Sequence, residues 1–161
     1  MSAVFYLSGL NFRYREPQMK KMLKFTLGCI FALMVVSEAW AGASAYSSTT
    51  VGPTIYSKNV NYTSTFNPVG SFPPGSAIGG WIQYSYSTSY RPSGFQAYLC
   101  WDNTFADCID ITNLQSGSTT HWNGQTPNHS FILMQRVVGT GTLSPPVYGN
   151  SDQIIVNFTY P

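Results

Sequence analysis

Two histidines and a group of aspartates come nearest, by residue type and spacing, to a metal-binding or acid–base site. His121 and His129 lie in one polar stretch, and Asp102, Asn103 and Asp107 precede it with carboxylate and amide oxygens. The separation of the histidines does not match the H-x₃₋₅-H spacing of zinc ligands, and the aspartates do not form an EF-hand loop. We therefore predict that both histidines are solvated loop residues and that the protein holds no metal and no other cofactor.

A catalytic triad and a pair of catalytic carboxylates are also poorly supported. Ser118 lies shortly before His121, but no G-x-S-x-G motif occurs, and a triad depends on geometry rather than on proximity in sequence. Asp102, Asp107 and Asp110 crowd around the two cysteines, and we interpret them as residues that keep a hairpin tip soluble. The sequence therefore predicts a protein that is not an enzyme and has no catalytic residues.

The first quarter of the chain has the three-part order of a secretory signal. A basic segment at 19–24 is followed by an uncharged apolar run at 25–36 and by a small-x-small site that ends at Ala41. This order is typical of a cleaved signal peptide. The apolar run is shorter than the roughly 20 residues of a membrane span, so no stable membrane anchor is expected.

The signal predicts both the ends of the mature chain and its compartment. We expect residues 1–41 to be removed by cleavage after Ala41, with cleavage after Ala45 as the alternative. Met19 is expected to be the true start of translation, which makes residues 1–18 an upstream extension of doubtful reality. The mature protein is then a single domain over 42–161, located in the periplasm.

Removal of the signal changes the charge of the protein. Residues 42–161 contain three basic and four acidic side chains, a net charge of −1: Lys58, Arg91 and Arg136 against Asp102, Asp107, Asp110 and Asp152. No basic patch for nucleic acid remains, and no polybasic segment for a membrane surface. The sequence leaves any small-molecule ligand open.

Alternation with a period of two indicates strands rather than helices. Ser, Thr, Tyr, Asn and Gly dominate after residue 41, and turn residues separate the alternating runs. The predicted strands are 56–66, 78–90, 95–101, 108–111, 131–138 and 153–160, with loops at 115–130 and 139–150. Six or so strands without a helical crossover predict an all-β fold, a small antiparallel sandwich or barrel.

Cys100 and Cys108 are the cysteines that remain after the signal is removed. An even pair in an oxidising compartment predicts a disulfide. Cys100 ends one predicted strand and Cys108 begins the next, so the bridge should clamp the base of a hairpin. Facing cysteines on antiparallel strands meet disulfide geometry at non-hydrogen-bonded positions.

Trp101 and Trp122 are the candidate contact residues, because each adjoins polar loop residues. Exposed loop aromatics beside Asn and Gly suit a protein or glycan contact. A tryptophan that folds back to cap the sandwich is an equally good interpretation of either residue. Trp81, by contrast, lies within a predicted strand, on the face opposite to Ile82.

The order of several segments resembles the FlhE family, small periplasmic proteins of the bacterial flagellum. The resemblance runs from about Gly80 to Phe158, and it includes the signal peptide. The segments that carry it are Tyr98-Leu99-Cys100, the second cysteine, the polar run 115–120, the apolar strand 131–138, the Gly-rich turn 139–143 and the closing run 153–158. The match is poor over 46–75, and the tip between the cysteines is longer than the family pattern leads us to expect.

The resemblance implies a periplasmic, non-enzymatic accessory of the flagellum. Such a protein would influence flagellar export or assembly by binding components of the export apparatus or basal body, as a chaperone or by controlling leakage. The family contributes no catalytic or ligand residues to this chain.

Two other classes of protein share some of these features. Fimbrial subunits also combine a signal, a paired-cysteine β domain and an alternating C-terminal strand. They need a free, alternately apolar donor strand ahead of the domain, and residues 42–55 are too polar and too interrupted by Gly and Pro to serve well. A secreted glycan-binding module that uses Trp101 and Trp122 is the other alternative.

Overall fold

The computed structural model describes residues 41–102 and 105–161. The predicted signal peptide and the start at Met19 lie outside the described residues, apart from Ala41. The described residues form ten strands: β1 (Gly42–Val51), β2 (Ile55–Ser57), β3 (Tyr62–Phe66), β4 (Ala77–Ser85), β5 (Phe95–Trp101), β6 (Cys108–Asp110), β7 (Ser116–Thr119), β8 (Phe131–Val137), β9 (Thr142–Val147) and β10 (Ser151–Tyr160).

The strands form two four-stranded sheets and one two-stranded sheet. The first sheet has the order β1-β10-β4-β7, the second sheet has the order β3-β8-β5-β6, and β2 pairs with β9. Every strand pairing is antiparallel. The prediction of an all-β, antiparallel fold with a disulfide-clamped hairpin is confirmed.

The core lies between the inner faces of the sheets. In β10, Ile154, Val156 and Phe158 point inward, whereas the alternate residues are more exposed. Phe131 and Leu133 of β8 face this row from the second sheet and belong to the same buried cluster. Burial of such side chains is worth about 1.5–3 kcal/mol each, so the alternation at these two strands determines which face of each sheet is internal.

Two segments predicted as loops contain strands. β7 lies within 115–130 at the edge of the first sheet, and β9 lies within 139–150 and pairs with β2. Both are edge strands without apolar alternation. Backbone hydrogen bonds to the neighbouring strand, rather than burial of their side chains, hold them in place. β9 includes Pro145 and Pro146, which an edge strand tolerates because only one of its sides must donate to a neighbour.

The predicted strand over 56–66 is interrupted. Asn59 adopts a φ of 57°, a left-handed conformation that asparagine tolerates, and the turn there separates β2 from β3. In a continuous strand over 56–66, Val60 and Phe66 would share one face, but Val60 is exposed while Phe66 is buried. The prediction of one continuous strand is therefore wrong.

The segment 42–55 is more regular than its composition indicates. β1 pairs with β10 in an unbroken register from Gly42↔Tyr160 to Val51↔Ser151. Tyr46 and Ser48 point into the core, and burial raises the pKa of Tyr46 to about 12. The N-terminal strand thus completes the protein's own first sheet.

Candidate functional site

The tip of the β5–β6 hairpin carries most of the residues that the sequence singled out. Cys100 and Cys108 are directly opposite each other, with a Cα–Cα distance of 4.0 Å, and form a disulfide. The Trp101 amide donates to the Asp107 carbonyl at 3.0 Å, so the cysteines occupy the non-hydrogen-bonded pair position beside it. The predicted disulfide and its clamped hairpin are confirmed.

Asp107 joins this tip to the polar loop that follows β7. Its Oδ2 accepts a hydrogen bond from the Trp122 indole Nε1–H at 2.8 Å, and its Oδ1 lies 2.7 Å from His121 Nε2. A carboxylate is the strong acceptor in such bonds. Asp107 therefore orients both side chains, and we call Trp101, Asp102, Asp107, His121, Trp122 and His129 the tip cluster.

Trp122 is buried rather than exposed, with 1% of its surface accessible. The loop folds back on β4, where the Gly124 amide donates to the Ile78 carbonyl at 2.8 Å. The indole packs edge-on against Phe131, with ring centroids 5.2 Å apart. Of the two interpretations of Trp122, the exposed contact surface is wrong and the cap agrees with the structure: the ring covers the core, and Asp107 satisfies the N–H that would otherwise oppose its burial.

Trp101 is partly buried and packs against the second histidine, with the two ring planes tilted by 41°. The ring centroids of Trp101 and His129 are 5.0 Å apart, and His129 Nδ1 lies 3.7 Å from Asp102 Oδ1. The Asp102 amide also donates to the Ser130 carbonyl at 2.9 Å. This second aspartate–histidine pair, like the first, joins the hairpin tip to the 120–130 loop.

The same hairpin tip carries an exposed aromatic ring. Phe105 follows Asp102 in the tip, is 47% exposed and has a φ of 51°. A bulky residue in the left-handed region is an outlier that points to a functional or packing constraint. The tip therefore carries one partly buried aromatic ring, Trp101, and one exposed ring, Phe105.

The chemistry available at the tip is that of ion pairs and hydrogen bonds. The His121 and His129 side chains are 47% and 43% exposed, so each is open to solvent as well as to its aspartate partner. Among the described residues, no three His, Cys, Asp or Glu side chains gather into a group able to hold a metal ion. The aspartates were interpreted as solubilising residues, yet Asp107 has a specific role in positioning two rings.

Asp110 has a different role from its neighbours. Its Oδ1 accepts a hydrogen bond from the Thr112 amide at 2.8 Å. Hydrogen bonds from the Thr112 side chain and backbone lower the pKa of Asp110, against a smaller opposing effect of burial. The carboxylate therefore caps the turn that leaves β6.

Sequence reasoning missed a buried carboxylate at the other end of the sandwich. Asp152 is fully buried at the start of β10, and its Oδ1 accepts a hydrogen bond from the Ser87 amide at 2.9 Å, while Oδ2 has no partner among the described residues. Burial raises the pKa of Asp152 to about 6, although the Ser87 amide opposes the shift. The alternation in 152–158 was the available signal, because it places Asp152 on the inward face.

Sequence reasoning also underrated Trp81, which is 58% exposed on the outer face of the first sheet. The signal was the pair Gly79-Gly80 directly before it, because glycines inside a strand often mark a bulge.

Within residues 41–102 and 105–161, no helix has the length and apolar character needed to cross a membrane.

Comparison with known proteins gives one consistent answer. The sequence model of the family described as "Flagellar protein FlhE" matches residues 52–159. The chain is 25% identical over 130 residues to the flagellar protein FlhE of Escherichia coli (strain K12), which covers 80% of this chain and 93% of that protein. It also superposes on a crystal structure of FlhE with a TM-score of 0.59 and 23% identity, over 73% of this chain and 97% of the other.

Proposed function

Because the chain belongs to the FlhE family of flagellar proteins, we propose that it is a periplasmic accessory of the flagellum that acts by binding a protein. The partner is a component of the flagellar export apparatus or the basal body, and the interaction influences export or assembly. The observation that carries this proposal is the family match over 52–159, which contains both the clamped hairpin and the tip cluster.

The periplasmic location is supported by three features of the chain. Residues 19–41 have the order of a signal peptide, Cys100 and Cys108 form a disulfide, and β1 begins at Gly42. Cleavage after Ala41 leaves β1 intact, whereas cleavage after Ala45 removes its first four residues. N-terminal sequencing of the periplasmic form should therefore begin at Gly42.

The hairpin tip is the proposed contact surface. Trp101 and Phe105 supply aromatic area, and aromatic residues dominate the energetics of protein interfaces. The disulfide at the base of the hairpin and the bond between Asp107 and Trp122 attach the tip to the sandwich at two points. A preorganised surface loses less conformational entropy when it binds.

Binding without turnover is the proposed mode of action. The pair of Asp107 and His121 has the arrangement that orients a catalytic base, so it offers the direct test. We expect His121→Ala to preserve function, because Asp107 still positions Trp122. Loss of function in a variant that keeps its fold would reveal a chemical role for this histidine.

Complementation of a gene deletion tests the proposal. The deletion strain should show altered swarming or altered secretion of flagellar proteins, and the wild-type gene should restore both. Trp101→Ala/Phe105→Ala should fail to restore them, whereas Tyr56→Ala, which removes an aromatic ring of 56% exposure elsewhere, should succeed. Normal motility in the deletion strain, with loss of adhesion or surface fibres instead, would favour a fimbrial subunit.

The position of β1 argues against that alternative. A subunit assembled by strand donation keeps its N-terminal strand free for a neighbour. Here β1 pairs with β10 of the same chain over ten residues, and Tyr46 and Ser48 are part of the interior.

A further inference from the structure

Trp81 is presented by an irregularity in the centre of the first sheet. Ile78 pairs with Phe158 and Ile82 pairs with Val156, so the three residues between them on β4 face one residue, Asn157, on β10. Bulges of this kind redirect side chains and are over-represented next to functional sites. The extra residues are Gly79, Gly80 and Trp81.

The bulge depends on a glycine and on a specific hydrogen bond. Gly80 has a φ of 87°, which a residue with a Cβ adopts only with strain. The Asn157 side-chain amide donates to the Trp81 carbonyl, so the neighbouring strand holds the bulged backbone. Trp81 is thereby fixed on the outer face of the sheet with 58% of its surface exposed.

Small residues leave a groove beside the indole. Ala43 and Ala45 of β1, with Gly79 and Thr159, line a depression of about 560 Å³ along one side of Trp81. A methyl group at position 79 would lie 3.2 Å from the Thr159 side chain. Because Gly79 has no side chain, the space between β4 and Thr159 stays open as part of the groove.

The same face continues as a row of amides and hydroxyls. A second depression of about 230 Å³ is lined by Gln83, Gln153, Ser116 and Ile155, among others. From position 153 to position 159 the strand extends about 20 Å at the usual rise per residue. The two depressions therefore lie along one surface that can accommodate a chain-like ligand.

This surface carries no charge. Of all the residues in β1, β4, β7 and β10, Asp152 is the only one that is charged, and it is fully buried. An anionic or cationic ligand would lose its hydration here without gaining a counter-charge. The complementary ligand is neutral, with apolar faces for the indole and hydroxyl groups for the amides.

We propose that the outer face of the first sheet binds a neutral glycan chain, with a sugar ring stacked on Trp81. The C–H face of a pyranose ring packs against the flat apolar surface of an indole. Gln83 and Gln153 supply amide groups that both donate to and accept from sugar hydroxyls. This site is separate from the hairpin tip, so the protein can hold a glycan and a protein partner at the same time.

Titration of the full mature protein with chitohexaose, a neutral oligosaccharide, tests the proposal. In ¹H–¹⁵N spectra the indole signal of Trp81 and the amide signals of Gln83 and Asn157 should shift together and saturate. Trp81→Ala should weaken binding by about tenfold or more, equivalent to about 1.4 kcal/mol. Because Trp81 is exposed, this variant should keep the wild-type melting temperature.

Two controls test whether binding depends on Trp81 itself and on the neutral charge of the ligand. Tyr56→Ala removes an equally exposed ring and should leave the affinity unchanged. Polygalacturonate, an acidic glycan, should bind at least tenfold more weakly than chitohexaose. Absence of saturable binding, equal affinity in Trp81→Ala, or shifts at Trp81 produced only by a flagellar protein would overturn the proposal.

Discussion

The carboxylate of Asp107 and the indole of Trp122 are 2.8 Å apart and separated by 15 residues in the chain. Asp107 belongs to the hairpin tip, whereas Trp122 is buried in the core. This hydrogen bond therefore couples the proposed contact surface directly to the packing of the sandwich.

Removal of the Asp107 carboxylate, which accepts the hydrogen bond from the Trp122 indole, should destabilise the protein. Asp107→Ala leaves the buried indole N–H without its partner, and an unsatisfied buried donor costs about 1–3 kcal/mol. We expect the free energy of unfolding in urea to fall by about 2 kcal/mol. In Asp107→Asn the amide oxygen can still accept from Trp122, so that variant should lose less than half as much. Equal losses in the two variants would contradict this role for the hydrogen bond.

The disulfide should contribute measurably to stability. The bridge closes a loop with a sequence separation of 8, and the loop-entropy estimate for so short a loop is about 2–3 kcal/mol. Cys100→Ala/Cys108→Ala should unfold at correspondingly lower urea concentration than the oxidised wild type. The wild type with a reductant should behave like the double variant, and an unchanged midpoint in both would contradict the prediction.

Asp152 should make stability depend on pH. Burial raises its pKa from 3.8 to about 6, so the folded state binds this proton more tightly than the unfolded state. Its contribution to stability is complete below about pH 4 and is lost as the pH rises through 6. A pKa that is about two units higher in the folded state than in the unfolded state corresponds to about 3 kcal/mol. Asp152→Asn should therefore raise the free energy of unfolding at pH 7 by up to that amount and change it little at pH 4.

Asp110→Asn is the matched control for that experiment. The bonds from Thr112 lower the pKa of Asp110, so its contribution is present at neutral pH and is lost as the pH falls through the folded pKa. Its removal should therefore reduce stability at pH 7, the opposite of the Asp152 variant. A pH profile that Asp152→Asn leaves unaltered would show that Asp152 is not the titrating group.

Gly149 should not tolerate a side chain. A Cβ at this position would lie 2.2 Å from the Gly52 backbone carbon, where neither segment can yield easily. We expect Gly149→Ala to cost more than 2 kcal/mol, since the backbone itself must shift. Gly124→Ala, which meets nothing within 4 Å but has a φ of +88°, should cost only the 1–2 kcal/mol of the left-handed conformation. Similar losses, measured by thermal unfolding, would contradict the close approach of the two segments.

The elements that sequence alone predicts well are those whose side chains decide the structure. β5, β8 and β10 were expected within one or two residues of their observed bounds, because their inward residues bury large apolar groups. β7 and β9 were missed because their partners, β4 and β2, are distant in sequence and their own residues carry little alternation.

The same distinction applies to the candidate site. The cysteine pair could be predicted from count, compartment and spacing, but the burial of Trp122 depends on an acceptor across the tip that no local pattern indicates. Trp81 was placed on the correct face, but the bulge that exposes it arises from the register between Ile78 and Phe158.

Site-specific cross-linking in living cells tests the central claim most directly. A photoreactive amino acid in place of Phe105, on the exposed tip, should be activated in flagellated cells and its products identified by mass spectrometry. The account predicts a covalent product with a protein of the flagellar export apparatus or basal body, and no such product from the same residue placed at Tyr56. Products at Phe105 that contain no flagellar protein, or the same products from both positions, would contradict it.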